Sequence, residues 1–237
     1  EPVAALDLNP GPASLAELAP RPALKVASLL AGPAQAGRRP EGGRPPANGH
    51  QTRGRGRLDV FTPEVGGDGA MDMGDPEYRR VFETVARGYG LAFADPGATA
   101  ITRVLNAAGQ LVLVTPASPD AARALAMTQE WLAAHGHDAL AANSITVVNG
   151  VSKRSMPHAE GAELVVRGRC RAVVRVPWDD HLAEVAAGRA SADGQAPGAL
   201  GSRLGQLRPP VLQAYTALAG VLIAALAASP QRRRAAR

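Results

Sequence analysis

The residues of this chain that could do chemistry sit at the ends of short apolar runs. Asp7 stands near the end of the run at 3–8 and is followed by Asn9-Pro10-Gly11. Asp95 closes the run at 91–94 and is followed by Pro96-Gly97. Asn149 closes 145–148, and Pro177 closes 172–176. A carboxylate followed by a glycine that lets backbone come close is what a magnesium–phosphate site needs, because hard cations take oxygen ligands. An amide at a strand end can read the polar edge of a ligand. Each feature also has a plain reading. Asp95 can be a helix cap in an ordinary strand-to-helix turn, and Asn149-Gly150 an ordinary turn.

The elements that must position these residues follow from the pattern. The runs at 91–94 and 111–114 do not alternate apolar with polar, so each reads as a strand covered on both faces. Such strands belong to a parallel sheet with crossover helices, and about four helical turns are expected between these two. Further strands are expected at 3–8, 58–61, 145–148 and 172–176. Helices are expected at 14–18, 23–30, 75–87, after Ser118-Pro119-Asp120, at 156–166, after Asp179 and at 211–228. Asp75-Pro76 and Asp120 read as helix starts with Asp at the cap. The order describes a doubly wound α/β domain with a mostly parallel sheet and helices on both faces. In such sheets ligands sit at the carboxyl ends of strands, where the four candidates lie.

The totals limit the function classes. The 237 residues are 46% hydrophobic, enough for a sizeable core, but only 3% aromatic, so Ala, Val and Leu must build it. A single cysteine, Cys170, rules out an internal disulfide and a cysteine-based zinc site, and fits a reduced, cytoplasmic setting. His135 and His137 flank Gly136, with no acid or cysteine cluster beside them, and read as helix-end histidines. Residues 32–57 hold seven glycines, six arginines and four prolines, with no aliphatic larger than Ala. Such a segment buries too little to offset its ordering entropy and reads as a disordered insertion. Without aromatic residues for stacking, it makes specific nucleic-acid binding a minor option. The helix at 211–228 is at the lower limit for a membrane span and reads as packed on the sheet. The arginine-rich tail at 229–237 could touch lipid headgroups or nucleic acid.

Several sites are absent. There is no Gly-x-Gly-x-x-Gly, no Gly-x-Ser-x-Gly and no His-Glu-x-x-His. A phosphate loop needs Lys between Gly and Ser or Thr, yet the only lysines, Lys25 and Lys153, follow Leu24 and Ser152.

The order of motifs nevertheless resembles the MinD/ParA family of P-loop ATPases, and within it bacterial MinD-like proteins. Leu6-Asp7-Leu8-Asn9-Pro10-Gly11 resembles the Asp-x-Asp-Pro switch strand. Ala94-Asp95-Pro96-Gly97 resembles the Walker B strand and second switch. Val147-Val148-Asn149 resembles the strand whose Asn reads adenine, and residues 169–180 resemble the late strand with its Pro-aromatic-Asp turn. The resemblance covers most of 2–31 and 58–228. It divides the chain into a first part of the ATPase-like domain at 1–31, the insertion at 32–57, the remainder at 58–228 and a basic tail at 229–237.

The resemblance implies an ATP-hydrolysing switch for positioning, partitioning or secretion, in which two subunits sandwich ATP and Mg2+. Asp95 would hold magnesium, and Asp7 would contact magnesium or the attacking water. Asn9, Gly11, Gly97, Asn149 and Pro177 would line the nucleotide. The full-length protein would be a homodimer that recruits a protein partner, a membrane or a nucleoid. Asn9 stands where the family has a second acid, which implies slow hydrolysis. The resemblance also implies that the phosphate-loop segment is cut away before Glu1. Strands 3–8 and 91–94 would then lack a central neighbour, and this chain alone would not bind ATP tightly. The alternative is a scaffold of the same fold that works by binding a protein partner.

Overall fold

A computed structural model of the chain describes residues 2–9, 15, 23–30, 57–63, 73–186 and 206–228. Gly11, the insertion at 32–57 apart from Arg57, the helix expected at 14–18 apart from Leu15, nearly all of the loop at 189–206 and the tail lie outside the described residues. The chain forms two compact units, 1–107 with 193–202, and 108–192 with 203–237.

The first unit contains β1 (Val3–Leu8), β2 (Leu24–Lys25), α1 (Ala27–Leu30), β3 (Leu58–Thr62), α2 (Asp75–Gly88), β4 (Leu91–Pro96) and α3 (Ile101–Ala107). Its sheet has the order β2-β3-β1-β4, all parallel. Side chains alternate across a strand. Ala4, Leu6 and Leu8 therefore share one face of β1, where they meet Val26, Leu29, Phe61, Tyr78, Val81, Val85 and Val104. Asp7 belongs to the opposite face. Each fully buried aliphatic of this core contributes roughly 1.5–3 kcal/mol.

Five expectations change here. Residues 23–30 are not one helix: Leu24 and Lys25 pair with Phe61 and Thr62, because β3 offers them a free edge. α3 is two turns, not four, because Gly97 N bonds back to the Leu8 carbonyl and a turn fills 98–100 before the helix starts. Asp75 is not the cap of α2, which is Gly74; its carboxylate instead meets Arg103 Nε at 2.5 Å. β1 does not lack a neighbour, since it lies between β3 and β4. β4 has one neighbour among the described residues, and it is not covered on both faces: Phe93 is 42% exposed.

The second unit contains β5 (Val112–Pro116), α4 (Ala121–Ala134), α5 (Asp138–Ala142), β6 (Ile145–Val151), α6 (Met156–Val166), β7 (Ala172–Pro177), α7 (Asp180–Ala186) and α8 (Pro209–Ala228). Its strands run β5-β6-β7, again all parallel. Val148 faces Leu125, Ala159, Ala162 and Val166 of α4 and α6. Ile145 and Val147 point the other way, to Val211 and Ala225 of α8. Helices thus cover both faces of β6, whose residues 145–148 are all buried. β5 departs from that pattern, with Val114 67% exposed. α5 was not expected; His137 precedes it as its cap residue, and His135 stacks on Trp131 at 4.1 Å. Cys170 is half-buried ahead of β7. α8 is apolar and long enough to cross a membrane by length and composition, and it packs one side on the sheet through Val211, Tyr215, Leu218 and Leu222.

Candidate functional site

In the first unit, Asp7 and Asp95 are register partners on β1 and β4. Neighbouring strands lie about 4.8 Å apart, so equal register puts both carboxylates on one face, at the carboxyl end of the sheet. Asp7 is only 2% exposed. Its carboxylate accepts the Leu15 N–H at 2.9 Å and the Asn9 N–H at 3.3 Å, which holds Leu15 at the strand end. Asp95 is exposed. Its carboxyl is held above the ordinary range, by desolvation first and by the Asp7 charge second.

Gly97 brings the second turn onto the first. Its N–H donates to the Leu8 carbonyl at 3.0 Å. A Cβ at this position would stand 3.2 Å from that oxygen and 3.3 Å from Asn9 Oδ1. A side chain would push the turns apart, so glycine is what lets Asn9 and Gly97 meet. Asp7, Asn9, Asp95 and Gly97 therefore form one cluster. Two carboxylates on one face, one of them open to solvent, suit Mg2+, which takes one or two protein carboxylates and fills its octahedron with water and phosphate. Among the described residues no group of three or more His, Cys, Asp or Glu could hold a metal by protein ligands alone.

In the second unit, Asn149 and Pro177 meet at the ends of β6 and β7. Asn149 pairs with Val176 and Val151 with Pro177, with an irregularity between them. Gly150 occupies that irregularity at φ 74°, a conformation glycine adopts at no steric cost. Asn149 is exposed, and its carbonyl accepts the Ala117 N–H at 2.9 Å. Just beyond β7, Asp179 is buried. Burial alone would raise its pKa, but hydrogen bonds from Arg208, Leu182 and His181 outweigh it and hold the carboxylate below its ordinary range. Asp179 caps α7 as expected, through His181 N at 3.0 Å and Leu182 N at 3.3 Å.

Of the seven residues singled out from sequence, four thus share a cluster in one unit, two share a strand end in the other, and Gly11 lies outside the described residues. Trp178 and Arg208 were missed. Trp178 stood in plain view after Pro177, but its exposure is not written in the sequence. Arg208 sits 29 residues from its partner Asp179, with no local pattern to link them.

Both sets lie at the carboxyl ends of parallel strands, where α/β folds bind ligands. This fold is similar to that of a ParA family ATPase. The crystal structure of such an ATPase from Chlorobium tepidum TLS matches with a TM-score of 0.58 over 95% of this chain and 84% of that chain, at 14% sequence identity. No protein-family model and no curated protein sequence matches the chain. At that identity the likeness to the ParA family ATPase is one of fold, and the roles of single residues rest on the geometry above.

Proposed function

We propose that this chain is part of an ATP-binding and ATP-hydrolysing switch of the ParA/MinD kind. The observation that carries the reading is the register pairing of Asp7 with Asp95 at the carboxyl ends of β1 and β4. The likeness in fold to a ParA family ATPase supports it.

In this reading Asp95, the exposed carboxylate, holds Mg2+ through water. Asp7 orients either that shell or the attacking water. When bound, magnesium would neutralise charge on the phosphates, and most of the catalysis would be positioning and electrostatics. Asn9, Gly97 and Gly11 would line the phosphates, while Asn149 and Pro177 would take the base. Asn9 has an amide where a carboxylate could accept a proton, so hydrolysis would be slow. In the cell the switch would be a cytoplasmic homodimer that engages a protein partner, a membrane or a nucleoid. The apolar length of α8 is the feature that speaks for a membrane.

Residues 1–237 hold no lysine between Gly and Ser or Thr, so the group that grips the phosphates would come from outside them. Calorimetric titration of this chain with ATP and Mg2+ is therefore expected to show affinity weaker than micromolar, dependent on Mg2+ and lost in Asp95→Asn. Micromolar affinity would overturn the external phosphate holder. Binding that ignores both Mg2+ and Asp95→Asn would overturn the role of the carboxylate pair. Complete absence of nucleotide and magnesium binding would favour the partner-binding scaffold.

A further inference from the structure

In the first unit, α2 and α3 enclose an open groove of about 480 Å³. Its inner wall is Tyr78, only 3% exposed, whose ring lies between Arg103, 5.1 Å from the ring centroid, and Phe82, at 6.2 Å. The Tyr78 hydroxyl makes no hydrogen bond among the described residues, yet its oxygen is not sealed from solvent. Burial pushes the phenol's pKa up, against the smaller effect of the Arg103 charge, so the group stays a neutral donor. Arg103 is fixed at three points. Its Nε donates to Asp75 Oδ1 at 2.5 Å, its Nη1 donates to the Thr99 carbonyl at 3.0 Å, and it lies over the Tyr78 ring. A guanidinium has five N–H groups; two are engaged here and three remain.

The rim carries charge that the fold does not use. Arg79 and Glu83 stand one helical turn apart on α2, a spacing at which opposite charges can pair. Neither forms an ion pair or a side-chain hydrogen bond among the described residues. Asn106 of α3 also keeps its side-chain amide unpaired among them. The rest of the lining is apolar, through Phe82, Ala86 and Ala107. The groove thus offers several donors, the free carboxylate of Glu83 and an apolar wall, while Asp75 is already engaged by Arg103. A plain anion would leave Glu83 opposing it. A plain cation would meet two guanidinium groups. A ligand that carries both charges on one end and an apolar body on the other satisfies every group at once.

We infer that the α2–α3 groove binds a free α-amino acid with a large apolar side chain. The ligand carboxylate takes the spare N–H groups of Arg103 and the Tyr78 hydroxyl, with Arg79 and Asn106 beside it. Guanidinium groups suit the planar, two-pronged geometry of a carboxylate. The ammonium faces Glu83, and the side chain lies on Phe82, Ala86 and Ala107. α2 and α3 flank β4 in the chain, and Arg103 also holds Thr99 in the turn after Gly97, so occupancy is felt close to Asp95. The inference does not depend on ATP chemistry, and neither reading falls with the other.

The probes are L-phenylalanine and L-leucine, titrated into the isotope-labelled chain and followed by amide NMR. Saturable shifts are expected in α2, α3 and at Thr99. Phenylpropionate, which lacks the ammonium, and phenethylamine, which lacks the carboxylate, should each bind about tenfold more weakly than phenylalanine. Glu83→Gln, at an exposed position, should bring phenylalanine down to the level of phenylpropionate. Tyr78→Phe removes only the hydroxyl and should weaken phenylalanine about threefold. Ala86→Trp, also at an exposed position, fills the groove and should abolish binding. Circular dichroism of each variant confirms the fold. Phenylpropionate that binds as tightly as phenylalanine overturns the doubly charged ligand. Shifts that stay linear for both amino acids, shifts confined to the second unit, or undiminished binding in a folded Ala86→Trp overturn the site.

Discussion

Arg208 donates twice to Asp179, from its backbone nitrogen at 3.3 Å and from Nε at 3.4 Å, both to Oδ2. The other oxygen, Oδ1, caps α7. One buried carboxylate therefore ties the end of β7, the start of α7 and the start of α8 together. Breaking such a charge-assisted junction leaves backbone N–H groups unpaired.

We expect Asp179→Ala to lose about 2–4 kcal/mol, more than a simple cap, because the removed carboxylate serves four donors from three residues at once. The sign of the pH dependence follows from the direction of its shift. A carboxyl held below its ordinary value stabilises the fold above that value and stops doing so as pH falls through the folded one. Urea unfolding of the wild type should thus weaken progressively below about pH 4, and Asp179→Ala should flatten that slope. An unchanged slope would show that Asp179 is not the group responsible.

Glu163 and Arg175 form a two-pronged pair, Nε to Oε1 and Nη2 to Oε2, each at 2.6 Å. Arg175 lies on β7 and Glu163 on α6, so the pair clamps helix to strand. The Arg175 hydrogen bonds hold the Glu163 carboxyl below its usual range, against a smaller opposing effect of burial. Glu163 therefore also contributes stability above its ordinary pKa that is lost on acidification. Because Arg175 is partly open to solvent, a Glu163→Gln/Arg175→Met double-mutant cycle should give a coupling of only about 1 kcal/mol. A coupling near zero at low salt would reduce the pair to decoration.

Asp95 pays for its place beside Asp7: desolvation and the neighbouring charge both disfavour its ionised form. Asp95→Asn should raise the melting temperature slightly in the absence of magnesium, by the relief of repulsion at an exposed site. The same variant should lose any thermal protection by millimolar Mg2+ that the wild type shows. If Mg2+ protects both proteins equally, the ion binds elsewhere.

Two glycines of the second unit should respond in opposite directions to alanine. Gly161 lies inside α6, and a Cβ there would meet nothing within 4 Å. Gly161→Ala should stabilise by about 0.5–1 kcal/mol through helix propensity. Gly150 has φ 74°, and its Cβ would press on Trp178 at 3.3 Å. Gly150→Ala should destabilise by about 1–2 kcal/mol and shift the Trp178 emission. Chemical denaturation with tryptophan fluorescence reads both; equal signs would contradict the local geometry.

Much of the fold was legible without coordinates. The strands were legible as apolar runs, and β6 is covered by helices on both faces, but the same reading of 91–94 and 111–114 as doubly covered strands failed at Phe93 and Val114, because coverage depends on which helices pack there. Leu125 and Leu132 lie seven residues apart and fall on one helical face, and both are buried in α4. Candidate residues were legible in kind, because acids, amides and glycines at the ends of apolar runs stand out against so aliphatic a chain.

Pairing was not legible. That Leu24 and Lys25 leave a helix for the edge of β3, that Asp75 abandons a cap for Arg103, and that β4 lies beside β1 all depend on partners distant in the chain. Local propensity is worth tenths of a kcal/mol per residue, and a long-range hydrogen bond or ion pair readily outweighs it. The amino-acid sequence by itself determined the class of fold and the kinds of group at its strand ends, because both follow from local pattern. Only the tertiary structure decided that Asp7 faces Asp95 in register and that Trp178 stands open over Gly150, because register and exposure are properties of packing between segments.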